Sequence, residues 1–133
     1  MGRKRLLAED GSDHKNVTKV EAEANLIEKL NWKKMDGLIP VVVQDVKTAK
    51  VLMLAYANKE ALQKTLKTGF GTYWSRSRKQ LWIKGETSGH TQKIRRVVAD
   101  CDYDAVLYVV EQKGPVCHTG AKTCFHHEFK CPE

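Results

Sequence analysis

No apolar run in this 133-residue chain is long enough to cross a bilayer. The best, Val41 to Val43 and Val51 to Ala55, fall far short of the ~20 residues a spanning helix needs. A secretory leader is missing too. Arg3, Lys4 and Arg5 make a basic start, but Leu6, Leu7 and Ala8 run straight into Glu9 and Asp10, where a leader needs about 7–15 apolar residues. The Walker and dinucleotide fingerprints are absent, and so is the paired C-x₂₋₄-C knuckle of structural zinc modules. No internal repeat and no linker between folded units is visible. These absences point to one cytoplasmic domain over 17–133 with no membrane partner, preceded by a polar tail over 1–16 that reads as flexible.

What is present is an ordinary globular balance, 41% hydrophobic and 29% charged. Lys and Arg number 23 against 16 Asp and Glu, a net charge of +7. Such a chain attracts phosphate, on nucleic acid or on a metabolite. From Arg76 to Arg96 there are seven basic residues and one acid, Glu86. The acids gather instead at Asp100, Asp102 and Asp104. Carboxylates so close to a basic segment repel a nucleic-acid backbone, and a metal would resolve the conflict. No nucleic-acid partner is expected.

Along the chain, Thr18-Lys19-Val20-Glu21 has the form of a capping box. Val20, Ala24, Ile27 and Leu30 follow at helical spacing, predicting an N-terminal helix over about 19–31. Ile39 to Val43 and Val51 to Tyr56 read as a hairpin turning near Lys47 to Lys50. Asn58 caps a second predicted helix that Gly69 ends. Strands are expected at about 71–75, 80–84, 93–101 and 105–111, with a turn at Gly114-Pro115. The fold class is α+β and β-dominated: a small twisted sheet, partly closed, capped by a helix.

Asp100-Cys101-Asp102-Tyr103-Asp104 is the most informative stretch. If it is extended, the three aspartates share one face and Cys101 points to the other. Such a face either holds a hard cation, Mg²⁺ or Ca²⁺, or is a solvated acidic turn. Cys117-His118-Thr119-Gly120 and Cys124 lie in a loop of small residues, with His126 and His127 just beyond. Without a secretory leader a disulfide framework is not expected. Cys101, Cys117 and Cys124 offer zinc three thiolates and leave one position for water, the open shell of a catalytic site. If Cys131 also ligates, the shell closes and the site is structural. Three thiolates withdraw little charge from a bound water, so His118 is the natural proton acceptor beside it, or else a merely structural histidine. Because Cys101 faces away from the aspartates, the two metal sites would draw on different subunits of a dimer.

Ser75-Arg76-Ser77-Arg78 and Lys84-Gly85-Glu86-Thr87-Ser88-Gly89-His90 flank a strand holding Leu81, Trp82 and Ile83. Alternating hydroxyls and guanidiniums suit phosphate. Trp74 or Trp82 either stacks on a purine or fills the core.

Taken together, these residues resemble the phosphoribosyl-AMP cyclohydrolases, which act at the third step of histidine biosynthesis. The likeness runs through Val51-Leu52-Met53-Leu54-Ala55-Tyr56, Tyr73-Trp74-Ser75-Arg76-Ser77-Arg78 and Leu81 to Gly89. It continues through Asp100 to Asp104 and Cys117-His118-Thr119-Gly120 to Cys124-Phe125. Ala57 departs from it, standing where a methionine is common. The resemblance implies zinc on Cys101, Cys117 and Cys124, and magnesium on Asp100, Asp102 and Asp104. It also implies a pseudo-barrel fold and a homodimer whose zinc ligands come from both subunits. The implied reaction is hydrolysis of the N1–C6 bond of phosphoribosyl-AMP by zinc-activated water with magnesium assistance. Two phosphates on that substrate fit the basic excess. Arg76, Arg78 and Lys84 are assigned to phosphate, with Ser75, Ser77, Trp82, Glu86, Ser88 and His90 as further substrate contacts. In some relatives a second domain performs the preceding pyrophosphohydrolase step; with the sequence ending at Glu133, that activity is not expected. Two rivals remain. A zinc-stabilised nucleic-acid module would bind in a salt-sensitive way. A purine deaminase would release ammonia, but its H-x-E and P-C-x-x-C pattern is absent.

Overall fold

The computed structural model describes residues 25–132. The expected tail over 1–16 and the start of the N-terminal helix lie outside them. Residues 25–29 are helical and bury Ile27, with Leu30 buried just beyond. Trp32 Nε1 donates to the Ile27 carbonyl at 2.9 Å, folding the chain back before Gly37.

Six strands and one complete helix follow: β1 (Ile39–Asp45), β2 (Val51–Ala57), α1 (Lys59–Thr68), β3 (Thr72–Ser75), β4 (Gln80–Ile83), β5 (Gln92–Ala99) and β6 (Val106–Gln112). Strand β1 alternates buried and open positions, β2 buries Leu52 and Met53 in succession, and the two pair antiparallel. Their turn is locked by the Asp45 carboxylate, which accepts from the Thr48 amide at 2.8 Å and the Thr48 hydroxyl at 2.9 Å. Asn58 caps α1 by accepting from the Ala61 amide at 2.8 Å, and Gly69 ends it at φ 79°. An asparagine cap of this kind is worth about 1 kcal/mol.

The sheet order is β2-β1-β6-β5, with β3-β4 a separate pair. All neighbours are antiparallel except β1 and β6, which run parallel from Val41↔Val106 to Asp45↔Val110. That pairing is the departure from the simple meander the strand order suggests. Val41, Val43, Tyr108 and Val110 are fully buried at its centre, each aliphatic side chain contributing about 1.5–3 kcal/mol relative to exposure.

The small sheet is tied to the free edge of β5. Gly71 N–H donates to the Gln92 carbonyl at 2.9 Å, and Ile94 N–H to the Gly69 carbonyl at 2.8 Å. The Tyr73 ring then packs on Tyr108, centroids 5.7 Å apart. The sheets curl around a common core, but β2 and β3 belong to different ladders, so no barrel closes. Among the described residues, no helix is long and apolar enough to cross a membrane.

Candidate active site

The cysteine loop follows β6. Its turn is closed by Gly120 N–H donating to the Cys117 carbonyl at 2.9 Å, with Gly120 at φ 92° where a side chain is strained. The Cys124 amide donates to the Leu52 carbonyl at 2.8 Å, and the Thr123 hydroxyl to the Val51 carbonyl at 2.8 Å. The loop is thereby stapled onto the outer edge of β2. On the other side, the Lys84 ammonium donates to the Val116 carbonyl, one residue before Cys117.

Cys117, His118 and Cys124 line a cleft of about 330 Å³ with Tyr56, Trp74, Ser75, Trp82 and Lys84. The Thr119 hydroxyl donates to the Cys117 sulfur at 3.1 Å, and His126 Nε2 stands 3.8 Å from that sulfur. The Thr119 hydroxyl above all, then its backbone amide and His126, bring the Cys117 thiol down to about 6. Cys124 moves the other way. Burial raises its pKa, Cys117 beside it adds to the rise, and the Lys84 charge opposes it. One sulfur is thus poised as a thiolate near neutral pH and the other is held back until a cation arrives, a donor pair suited to a thiophilic metal. The sequence offers Cys117 and Cys124 as a thiolate pair, whereas the contacts of Thr119 and His126 with Cys117 are not legible in it.

Cys101 is not brought to this pair. It is exposed in the turn between β5 and β6. That turn precedes Val106, which pairs near the start of β1, whereas Leu52 lies opposite the end of β1. The two sulfur groups therefore occupy diagonally opposite corners of the sheet.

The aspartates converge, but not in the way an extended strand would bring them together. Strand β5 ends at Ala99 rather than at 101, and 100–104 is a tight turn. Asp100 Oδ1 accepts from the amides of Asp104 at 3.0 Å and Ala105 at 3.2 Å, and Tyr103 takes φ 60°. Backbone curvature, rather than alternation, gathers the carboxylates of Asp100, Asp102 and Asp104 within 4.8 Å of one another. Among the described residues they form the one group of three such donors, and all-oxygen donors fit a hard divalent cation. Lys34 pairs with Asp104 and lowers its carboxyl to about 2, with hydrogen bonds from Asp102 and Asp100 adding to the shift. Asp102 is raised, first by its hydrogen bond with Asp104, then by burial and the Asp100 charge.

The expected phosphate ligands separate. Ser75 Oγ accepts from the Arg78 amide at 3.2 Å, shaping the β3–β4 turn. Arg78 lines a shallow cleft with Ser75, Gln80 and Trp82. The Arg76 guanidinium stacks over the Tyr56 ring at 3.9 Å. The Ser77 hydroxyl lies 3.4 Å from that of Ser75. Lys84 is engaged with Val116. Glu86, Ser88 and His90 form a loop closed by Gly89 N–H donating to the Gly85 carbonyl at 2.8 Å, and none of them lines the thiol cleft.

The family model for phosphoribosyl-AMP cyclohydrolase matches residues 53–126. The chain is 63% identical over 97 residues to a phosphoribosyl-AMP cyclohydrolase of Archaeoglobus fulgidus, covering 73% of this chain and 90% of that one. It is 52% identical over 103 residues to its counterpart in Cenarchaeum symbiosum, covering 77% and 95%. A histidine biosynthesis bifunctional protein HisIE of Thermus thermophilus is 63% identical over 90 residues, 68% of this chain and 42% of that protein.

Proposed function

Because the chain belongs to the phosphoribosyl-AMP cyclohydrolase family, a family of hydrolases, we propose that it opens the adenine ring of phosphoribosyl-AMP at N1–C6, in the cytoplasm, as a step of histidine biosynthesis. The observation that carries the reading is Cys117 and Cys124 sharing one cleft with His118 and the half-open Trp82 ring.

In this reading Trp82 stacks on the purine and Arg78 receives a phosphate. His118 holds the proton released as water oxygen bonds to C6, and returns it to N1 as the N1–C6 bond breaks. The products balance as a C6 carboxamide and an N1–H amidine, with no ammonia released. Cys117 and Cys124 of one chain, with Cys101 of a second copy, hold zinc; zinc so held supplies Lewis acidity that makes water nucleophilic near neutral pH. The separation of Cys101 from the other two thiols supports a homodimer with a shared site. Asp100, Asp102 and Asp104 hold magnesium, which supplies positive charge for the anionic substrate.

The test is turnover of phosphoribosyl-AMP, followed by the ultraviolet change of ring opening, with and without Zn²⁺ and Mg²⁺. Ammonia release, or no spectral change with both metals present, would overturn the reading. Mixing Cys101→Ala with Cys117→Ala protein tests the shared site. Random exchange in a two-fold dimer should restore about a quarter of wild-type activity, whereas a site built within one chain would restore none.

A further inference from the structure

A substrate with two phosphorylated ribose arms needs two cationic ends, and the thiol cleft supplies one. Arg78 stands at its Trp82 side, while Lys84 is engaged with the Val116 carbonyl and Arg76 with the Tyr56 ring. The cysteine loop has a second flank, however. Its Gly120 and Lys122 line a larger cleft, about 500 Å³, whose opposite wall carries Lys50 and Gln112.

Three features of that cleft define a ligand. Among the described residues, neither Lys50 nor Lys122 has a carboxylate within ion-pair distance. Asp45, the acid in the wall, already accepts from the Thr48 amide and hydroxyl and the Lys47 amide. Gln112 Oε1 is buried with no hydrogen-bond partner, although its amide nitrogen donates to the carbonyls of His90 and Lys113, both at 3.2 Å. Two ammonium groups call for an anion, and a buried lone acceptor calls for a donor. An inorganic anion would satisfy the lysines alone. A sugar phosphate supplies both, phosphate to the lysines and a ring hydroxyl that reaches Gln112 Oε1 once the side chain turns outward into the cleft. His90 supports this wall from behind: a side chain at Gly114 would come within 2.6 Å of its ring.

Resting on the proposed reaction, we infer that the Lys50–Lys122–Gln112 cleft is the subsite for the second ribose phosphate, so that the substrate straddles the cysteine loop.

The experiment compares wild type, the Lys50→Ala/Lys122→Ala double variant, and Lys64→Ala, which removes a charge from the exposed side of α1. The zinc- and magnesium-loaded protein is assayed for turnover and, separately, titrated with ribose 5-phosphate and with inorganic phosphate. The double variant should raise KM about tenfold or more, as expected for lost charge-assisted bonds, with kcat within about twofold. It should weaken ribose 5-phosphate binding in parallel, with Lys64→Ala neutral and inorganic phosphate binding wild type more weakly than the sugar phosphate. Unchanged KM and binding in the double variant would overturn the subsite. So would an equal loss in Lys64→Ala, or a change in sedimentation showing that the lysines hold chains together. Failure of the catalytic reading shows separately: wild type would leave phosphoribosyl-AMP intact yet still bind ribose 5-phosphate through the lysines.

Discussion

Lys34 forms an ion pair with Asp104, 70 residues further along the chain. Beside it, the Asn31 amide donates to the Tyr103 carbonyl at 2.7 Å. The segment after the N-terminal helical residues is thereby clamped onto the acidic turn. The Lys34 ammonium relieves the repulsion among three gathered carboxylates, and its own pKa is raised in return, first by the hydrogen bond to Asp104.

The pair has a consequence for acid stability. Asp104 in the folded chain titrates at about 2, below the unfolded value of about 3.9. Its contribution is complete above the unfolded value and is lost as pH falls through about 2. Asp104→Asn should therefore unfold at lower urea than wild type at about pH 5, with the gap closing towards about pH 2. A gap independent of pH would show that the charge is not what stabilises the turn.

His118 faces the thiol cleft without belonging to the sulfur pair. His118→Ala should keep its zinc and slow turnover by roughly 10²–10⁴-fold, the span of general acid–base help. Metal analysis beside kcat separates the two roles. Zinc loss would make His118 a ligand, and an unchanged rate would remove it from the chemistry.

Lys84 and Arg78 should part company. Lys84→Met removes the charge that opposes the rise in the Cys124 pKa and the bond that holds Val116. It should weaken zinc in a chelator competition, most at low pH. Arg78→Ala should leave zinc alone and raise KM by about tenfold or more, the loss expected for one charge-assisted phosphate contact. Identical behaviour of the two variants would contradict the division of labour.

Gly71 is fixed by packing. A methyl there would lie 2.7 Å from Gln92 Oε1 and 2.8 Å from the Tyr73 hydroxyl, and both side chains are fully buried and bonded to each other. Gly71→Ala should cost about 1–3 kcal/mol in urea unfolding, as overpacking does. No loss would mean that the Tyr73–Gln92 pair shifts freely.

Much of the fold is legible because its signals are local. Asn58, Gly69, the β-branched run at 39–43 and the apolar run at 51–56 each act within a few residues, and α1 and the hairpins stand where they place them. The expected β5 runs two residues past its observed end at Ala99, because Asp100 and Cys101 read as a continuation of the alternating strand; the turn is made by the Asp100 carboxylate accepting amides four and five residues on. The parallel β1–β6 pairing was not legible, since nothing near Val41 reports on Val106, 65 positions away. The two faces of the cysteine loop were likewise hidden, because which of its residues meets which cleft depends on how it is stapled to β2.

By itself, the sequence determined the inventory: two sulfur-bearing segments, three carboxylates, a basic stretch, and the helices and hairpins that local propensity and apolar spacing impose. Tertiary structure alone decided who meets whom. It drew Cys117 to Cys124, left Cys101 at the far corner of the sheet, set Lys34 on Asp104 and gave Lys84 to Val116. The reason is that such pairings are settled by burial of the shared apolar core and by ladder register across long loops, and neither is encoded in any one stretch of chain.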